Sequence, residues 1–112
     1  MADTKQDIDK ALNEIQGIKA FFYYPQTFKQ LPCISFYEAS NIPIASADDD
    51  EYATETIYAV DVWAVTDKQV TDIAAQVIEK MNTIGFVRTF SHDVFDPDSN
   101  IRHKAMRFKR IV

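Results

Sequence analysis

Glycine is scarce in this sequence, with only Gly17 and Gly85 among 112 residues. Phosphate-binding loops of the P-loop and dinucleotide types need several closely spaced glycines, because the backbone must approach a phosphate group without side chains in the way. The nucleophile elbow of many hydrolases needs a Gly-x-Ser-x-Gly pattern, which this sequence also lacks. Both classes of chemistry are therefore disfavoured.

Cysteine and histidine are equally rare, and Cys33, His92 and His103 are the complete set. A single cysteine cannot form an intrachain disulfide, and these few side chains cannot supply the four ligands of a structural zinc site. Cys33 falls within an apolar run, where a small buried side chain is far commoner than a reactive thiolate. We therefore predict no catalytic residue, no metal site and no cofactor, and we expect that the chain is not an enzyme.

One stretch has the spacing of a calcium-binding loop, because Asp96, Asp98 and Asn100 alternate as the first ligands of such a loop do. Ile101 occupies the position that requires glycine. Arg107 occupies the position of the bidentate glutamate, where a cation would repel the metal ion. The sequence therefore predicts a turn rich in oxygen side chains and not a calcium site.

Long apolar runs are missing as well. No run approaches the roughly 20 residues that a helix needs to cross a bilayer, and the first residues lack the basic and then apolar order of a signal peptide. We expect a protein that stays in the cytoplasm unless a larger particle carries it out. With 46% hydrophobic and 26% charged residues, the composition is typical of one compact domain that spans residues 1 to 112.

The charge is negative overall but unevenly placed. The formal net charge of −5 opposes general binding to nucleic acid, because counterion release by basic side chains dominates such binding. An acidic block and a basic C-terminal stretch lie far apart in the sequence: Asp48, Asp49, Asp50, Glu51 and Glu55, then Arg102, Lys104, Arg107, Lys109 and Arg110. Complementary zones of this kind suit head-to-tail contacts between copies of one subunit. We predict that these residues form an oligomer or partner interface; the alternative is that they pair within one subunit or face water.

Two other interpretations of these charges stay open. The basic stretch includes Phe108 and could bind single-stranded nucleic acid by stacking and phosphate contacts, which is a minor alternative because the chain is acidic. The run from Asp48 to Glu51 could hold a magnesium or calcium ion weakly, although a solvated loop is the usual structure of such a run.

Hydrophobic periodicity predicts two helices and five strands. The expected elements are a helix over residues 5 to 17, strands over 18 to 24, 33 to 39 and 54 to 65, a helix from 66 to 85, and strands over 86 to 91 and 101 to 112. The polar segment from 40 to 53 is predicted to be a loop or hairpin tip, and residues 93 to 100 to be a turn. An α+β fold follows, with two helices on one face of a mostly antiparallel sheet of about five strands, in the order α-β-β-β-α-β-β.

Four residues carry more specific predictions. Thr66 and Gln69 have the spacing of a capping box, which marks the start of the second helix. Asp61 lies in the most apolar strand, where a charge is costly unless it meets a partner, and pairing with an arginine is the expected role. Trp63 shares the face of Asp61 by strand alternation and is either a core residue or an interface anchor.

An ordered set of motifs becomes visible once these elements are placed. It comprises Tyr24-Pro25, Leu31-Pro32-Cys33-Ile34-Ser35-Phe36-Tyr37-Glu38, Val60-Asp61-Val62-Trp63, Met81-Asn82-Thr83-Ile84-Gly85-Phe86-Val87-Arg88-Thr89 and His103-Lys104-Ala105-Met106-Arg107-Phe108. In this order and spacing the chain resembles, from Phe21 onward, the small tail-completion or tail-terminator proteins of siphophages and prophages of Gram-positive bacteria.

The resemblance implies an α+β subunit that assembles into a ring, usually a hexamer, and binds the head-proximal end of the tail tube once the tube has reached its set length. It implies three partners: further copies of the chain, the tail tube protein and then the head connector protein. It places the protein first in the host cytoplasm and then in the virion, at the head-tail junction. DNA would meet the protein only while passing through the ring. No catalytic residues are carried over from this family.

Two functional alternatives stay open on the sequence. The chain could be another head-tail connector or minor virion protein, or a small enzyme or nucleic-acid-binding regulator encoded by a prophage. We also hypothesise that the loop around residues 45 to 53 is flexible in the free subunit and becomes ordered on assembly, because its composition is acidic and sparsely apolar.

Overall fold

A computed structural model describes residues 4–22, 31–45, 52–94 and 100–111. The elements are α1 (Thr4–Asn13), β1 (Lys19–Phe22), β2 (Cys33–Ala45), β3 (Tyr52–Ala64), α2 (Asp67–Thr83), β4 (Val87–Val94) and β5 (Arg102–Ile111). The predicted order of two helices and five strands is confirmed.

The strands form one sheet in the order β1-β2-β3-β5-β4. β1 runs parallel to β2, and the other three neighbouring pairs are antiparallel. β3 lies in the middle of the sheet, as its apolar composition predicted. The α+β class and the mostly antiparallel sheet are confirmed as well.

Both helices pack on one face of the sheet, because the strand residues that share a core with them recur at every second position. The shared core includes Ile8 and Leu12 of α1, Val77 and Met81 of α2, and Ile34, Phe36, Val60, Val62, Met106 and Phe108 of the strands. Phe36, Phe86 and Phe108 are fully buried, and each contributes about 2 kcal/mol by removing apolar surface from water.

The first helix ends earlier than predicted, at Asn13 and not near residue 17. The Asn13 side chain explains the early end, because its amide donates to the Asp9 carbonyl (2.9 Å) and its Oδ1 accepts the backbone N–H of Ala20 (3.1 Å). Such side-chain bonds compete with the continuing helix. Gly17, with a φ of 79°, then turns the chain toward β1 in a conformation that glycine adopts without strain.

The second and third strands are longer than predicted. Residues 40–45 and 52–53 belong to β2 and β3, so the prediction of a loop over residues 40 to 53 was wrong at both ends. The ladder continues to the pair Ala45 and Tyr52, and Ile42 and Ile44 supply the alternation of a strand within a polar composition. Residues 46–51 of the predicted loop lie outside the described residues, so the hypothesis about its ordering stays a prediction.

The fourth strand also runs further than predicted, to Val94, so the expected turn over residues 93 to 100 begins later. His92, Asp93 and Val94 pair with Ala105, Lys104 and His103, respectively, which extends the hairpin by three cross-strand pairs. The ion pair between Lys104 and Asp93 (3.0 Å) offsets the low strand preference of aspartate there.

The second helix has the predicted start and a specific end. The Thr66 hydroxyl accepts the backbone N–H of Gln69, which satisfies one of the free donors of the first turn. At the other end the N–H groups of Gly85 and Phe86 donate to the carbonyls of Asn82 and Met81, which is the hydrogen-bond pattern of a Schellman motif. Gly85 has a φ of 88°, the left-handed conformation that this motif requires.

We predict that Thr66→Ala lowers the free energy of unfolding by about 1 kcal/mol, because the helix loses its N-cap acceptor. Urea denaturation measures the change. Gln76→Ala is the matched control, since Gln76 is exposed in the middle of α2 and both residues favour helix. Equal losses in the two variants would show that the cap contributes nothing.

Candidate functional site

The sheet has a second face, opposite α1 and α2, which we call the helix-free face. The strand register assigns to it the positions that alternate with the core, in rows such as Tyr37, Ala59, Arg107 and Phe90. Five of the seven large hydrophobic residues that are exposed in the described part of the chain lie on this face: Ile42, Val87, Phe90, Val94 and Ile111. In the described part of the chain, the exposed large apolar side chains therefore lie mainly on one side of the sheet.

A buried polar cluster occupies the same face nearer the C-terminal end of β3. Asp61 Oδ2 lies 2.5 Å from His103 Nε2, the Trp63 ring stacks on the His103 ring with centroids 3.6 Å apart, and Trp63 Nε1 donates to Ser35 Oγ at 3.0 Å. Asp61 and Ser35 are 1% and 0% exposed. The four side chains thus satisfy one another in a place where an unpaired polar group would be costly.

The structure pairs Asp61 with a histidine and not with the predicted arginine, so that prediction was wrong. Asp61 and His103 come together because Trp63 pairs with His103 in the ladder and Asp61 lies two residues before Trp63 on the same face. A diagonal contact of this kind depends on the register of two strands, which the sequence did not reveal. Trp63 has a half-buried position within this cluster.

The cluster contains serine, histidine and aspartate, but its bonds are not those of a catalytic triad. The Ser35 hydroxyl accepts from the Trp63 indole, and His103 Nε2 faces Asp61. Among the described residues, no serine or cysteine is hydrogen-bonded to a histidine, which nucleophilic catalysis would need. Burial raises the pKa of the Cys33 thiol and so disfavours the thiolate.

The basic residues of β5 do not form one surface, because strand alternation divides them between the two faces. Arg102, Lys104 and Arg110 lie on the side of the helices, whereas Arg107 and Lys109 lie on the helix-free face. Arg102 forms an exposed ion pair with Asp67 (3.0 Å), and Lys104 forms the pair with Asp93 noted above. Arg107 lies over the Tyr37 ring at 6.0 Å.

Arg110 holds the two helices on the sheet. Its guanidinium donates to the Thr4 hydroxyl (2.9 Å) and the Ile84 carbonyl (3.0 Å), reaches the Asp7 carboxylate (3.5 Å), and lies over the Phe86 ring. The side chain is 10% exposed. Its hydrogen-bonding capacity is therefore directed into the subunit.

Most of the acidic half of the predicted interface cannot be located in the fold. Asp48, Asp49, Asp50 and Glu51 lie outside the described residues. Glu55 lies on the helix-free face, in the row between Ile42 and Ile111. The assignment of these residues to an interface therefore stays a prediction.

Metal binding and membrane insertion find no support in the described residues. They contain no group of three or more His, Cys, Asp or Glu side chains that could hold a metal ion. Neither helix of this part of the chain has the length and apolar character that a bilayer crossing demands.

Comparison with known proteins identifies the fold. No protein-family model matches the sequence, and no curated protein is similar to it. A chain of the virion of a native gene transfer agent particle has a TM-score of 0.63 with 12% identity, over 99% of this chain and 86% of that chain. The gp17 protein of bacteriophage SPP1 has a TM-score of 0.60 with 15% identity, over 96% of this chain and 87% of that chain. This chain shares their fold.

We predict that Asp61→Ala lowers the free energy of unfolding by about 3 kcal/mol, because it removes the buried carboxylate that pairs with His103, whose side chain is 14% exposed. Urea denaturation again measures the change. Asp72→Ala is the matched control, since Asp72 forms an exposed pair with Lys68 that contributes little. Similar small losses in both variants would contradict a stabilising role for the buried pair.

We also predict that the Cys33 thiol reacts slowly in the folded protein. Cys33 is 1% exposed and its pKa is raised by burial, so both access and the thiolate fraction are reduced. Alkylation by iodoacetamide at neutral pH should be at least about tenfold slower in buffer than in concentrated urea. Equal rates in the two solutions would contradict this assignment.

Proposed function

We propose that this chain is a structural subunit of a phage-type particle. Copies of it would form a ring, of six subunits by the resemblance, that caps the head-proximal end of the tail tube, ends tube growth and offers the head connector a surface to bind. The observation that carries the proposal is the fold, which agrees over nearly the whole chain with a chain of a gene transfer agent virion. The ordered motifs described in the sequence analysis point to the same group of proteins.

The surface of the subunit supports a role in assembly. Exposed apolar side chains gather on the helix-free face, and the sheet has an edge strand on each side. Apolar faces and open edges are costly in an isolated protein, because they invite association. In a subunit that is buried among copies and partners, the same features provide the contacts.

The distribution of cations disfavours the nucleic-acid-binding alternative. A strand that binds single-stranded nucleic acid presents its cations and aromatic rings along one groove. Here the cations of β5 are divided between two faces, and Arg102, Lys104 and Arg110 are engaged in contacts within the subunit. Phe108 is fully buried and so cannot stack on a base.

Electron microscopy of tails made with and without this protein tests the proposal. If the protein ends tube growth, tails made without it should lack a defined length and remain unjoined to heads. Supplying the protein in trans should restore both the length and the joining. The same restored particles should contain the protein at the head-tail junction.

Other outcomes of this experiment separate the alternatives. Tails of normal length without heads would indicate a neighbouring head-tail joining protein. Normal tails joined to normal heads would contradict both roles. Salt-dependent retention of the purified protein on DNA would then favour the regulator.

A further inference from the structure

We propose that neighbouring subunits join by pairing their sheets edge to edge, with β4 of one copy bound to the far half of β2 in the next copy. This inference rests on the proposed ring and names the surfaces that would build it. We call residues 87–91 the β4 edge and residues 38–44 the β2 arm. The occupant of each surface is a second copy of this chain.

The β4 edge is an open side of the sheet in the described part of the chain. β4 is the outermost strand, paired on one side with β5 and without a further strand among the described residues. It contains neither proline nor lysine, the residues that commonly protect an edge. Val87 and Phe90 are 56% and 49% exposed on its helix-free face. Its backbone and side chains are therefore available to another strand.

In the described part of the chain the β2 arm is the second open edge, although Pro43 within it removes one backbone donor. Among the described residues, β1 pairs with β2 over Cys33 to Phe36, and beyond Phe36 the strand that pairs with β2 is β3 alone. Ile42 is 50% exposed and Ile44 is half-buried, and both belong to the helix-free face. The two edges thus place their apolar side chains on the same side of a sheet that would continue from one copy to the next.

Strand direction fits this contact. Three successive antiparallel pairings separate β2 from β4, so the two strands run in opposite directions. A second copy placed beside β4 with its helices on the same side therefore presents β2 in the antiparallel sense. Because the two edges lie on opposite sides of the sheet, the contact is head-to-tail and can close into a ring.

Charge selects this pairing over a contact between two identical edges. Exposed Arg88 lies on the β4 edge and exposed Glu38 lies on the β2 arm, both in the row that passes through Tyr58 and Phe108 on the side of the helices. Joining a β4 edge to a β2 arm brings opposite charges to the junction. Joining two β4 edges would bring two arginines there, which is unfavourable.

Each open strand also has a bulge next to this row. The register shifts between Glu38 and Ser40 in β2 and between Arg88 and Phe90 in β4. Bulges bend a strand and increase its twist. The bulges therefore bend both open edges of the sheet at the level of this row. Subunits with the same bend that are joined edge to edge form a curved assembly, as a ring requires.

A charge exchange tests the contact. Arg88→Glu and Glu38→Arg should each raise the Kd for self-association by about tenfold, since each places like charges at the junction. The double variant, R88E with E38R, should restore association to near the wild-type level. Lys10→Glu is the control, because it makes the same charge change on an exposed position of α1. Analytical ultracentrifugation up to millimolar concentration gives the Kd values.

Disulfide trapping tests the geometry and does not require a stable ring. A variant with both Ile42→Cys and Val87→Cys should form a ladder of covalent oligomers under mild oxidation, because each copy carries both halves of the contact. A mixture of the two single variants should stop at dimers. The control combines Ile42→Cys with Val65→Cys, since Val65 is 52% exposed and lies outside both edges. Native Cys33 is buried and should not take part.

The outcomes separate this inference from the proposed function. If the wild-type protein associates but R88E does not weaken it, or if the control pair crosslinks as well as the test pair, the edge contact is wrong while the ring can stand. If no concentration gives association or trapping, the edge contact is also overturned. The electron micrographs of tails measure tail length and the joining of heads, so they test the proposed function independently of either result.

Discussion

The register of β3 against its two neighbours is the constraint on which the rest of the structure depends. One side of β3 delivers Val60 and Val62 to the core beneath the helices, and the other side delivers Asp61 to His103. A slip of one residue against β5 would exchange the two faces. It would place the carboxylate among Phe36, Met106 and the helices, and it would leave the imidazole without its partner. The buried polar cluster therefore opposes every slip that apolar packing alone would tolerate.

Most of the fold could be predicted from the sequence, because its signals are local. The apolar spacing of α2, its capping threonine and the glycine after it act within a few residues, and the structure shows each of them. The errors came where local preference and pairing disagree. Residues 40 to 45 begin a longer, mostly polar segment that suggests a loop, yet they are held in a strand because β3 pairs with the backbone groups on one of its sides. Asn13 ends α1 early through a bond to Ala20, a contact that spans a turn.

The candidate site was less predictable for a different reason. The basic residues of β5 are close together in the sequence and look like one zone. Alternate side chains of a strand point to opposite faces of the sheet, so the zone is divided. Arg110 is an example. Its contacts with Thr4, Asp7 and Ile84 come from elements that are distant in sequence, so the sequence could not predict them. Arg88 and Glu38 had no distinguishing pattern in the sequence. Their importance arises from the strand order, which places one at each open edge.

A sheet with two open edges faces opposing requirements. Each edge must stay soluble while the subunit is free, and it must bind once copies meet. The described edges combine features for both: exposed Arg88 and Glu38 keep water at each edge, and the bulges limit the length of regular strand offered to unrelated chains. Burial of the apolar residues on the helix-free face stabilises the contact only when a second sheet continues the first, because a lone strand cannot cover them. In the proposed assembly the free subunits would associate weakly and copies on a tube end would associate firmly, since a tube that holds several copies together raises their effective concentration without any new contact between them.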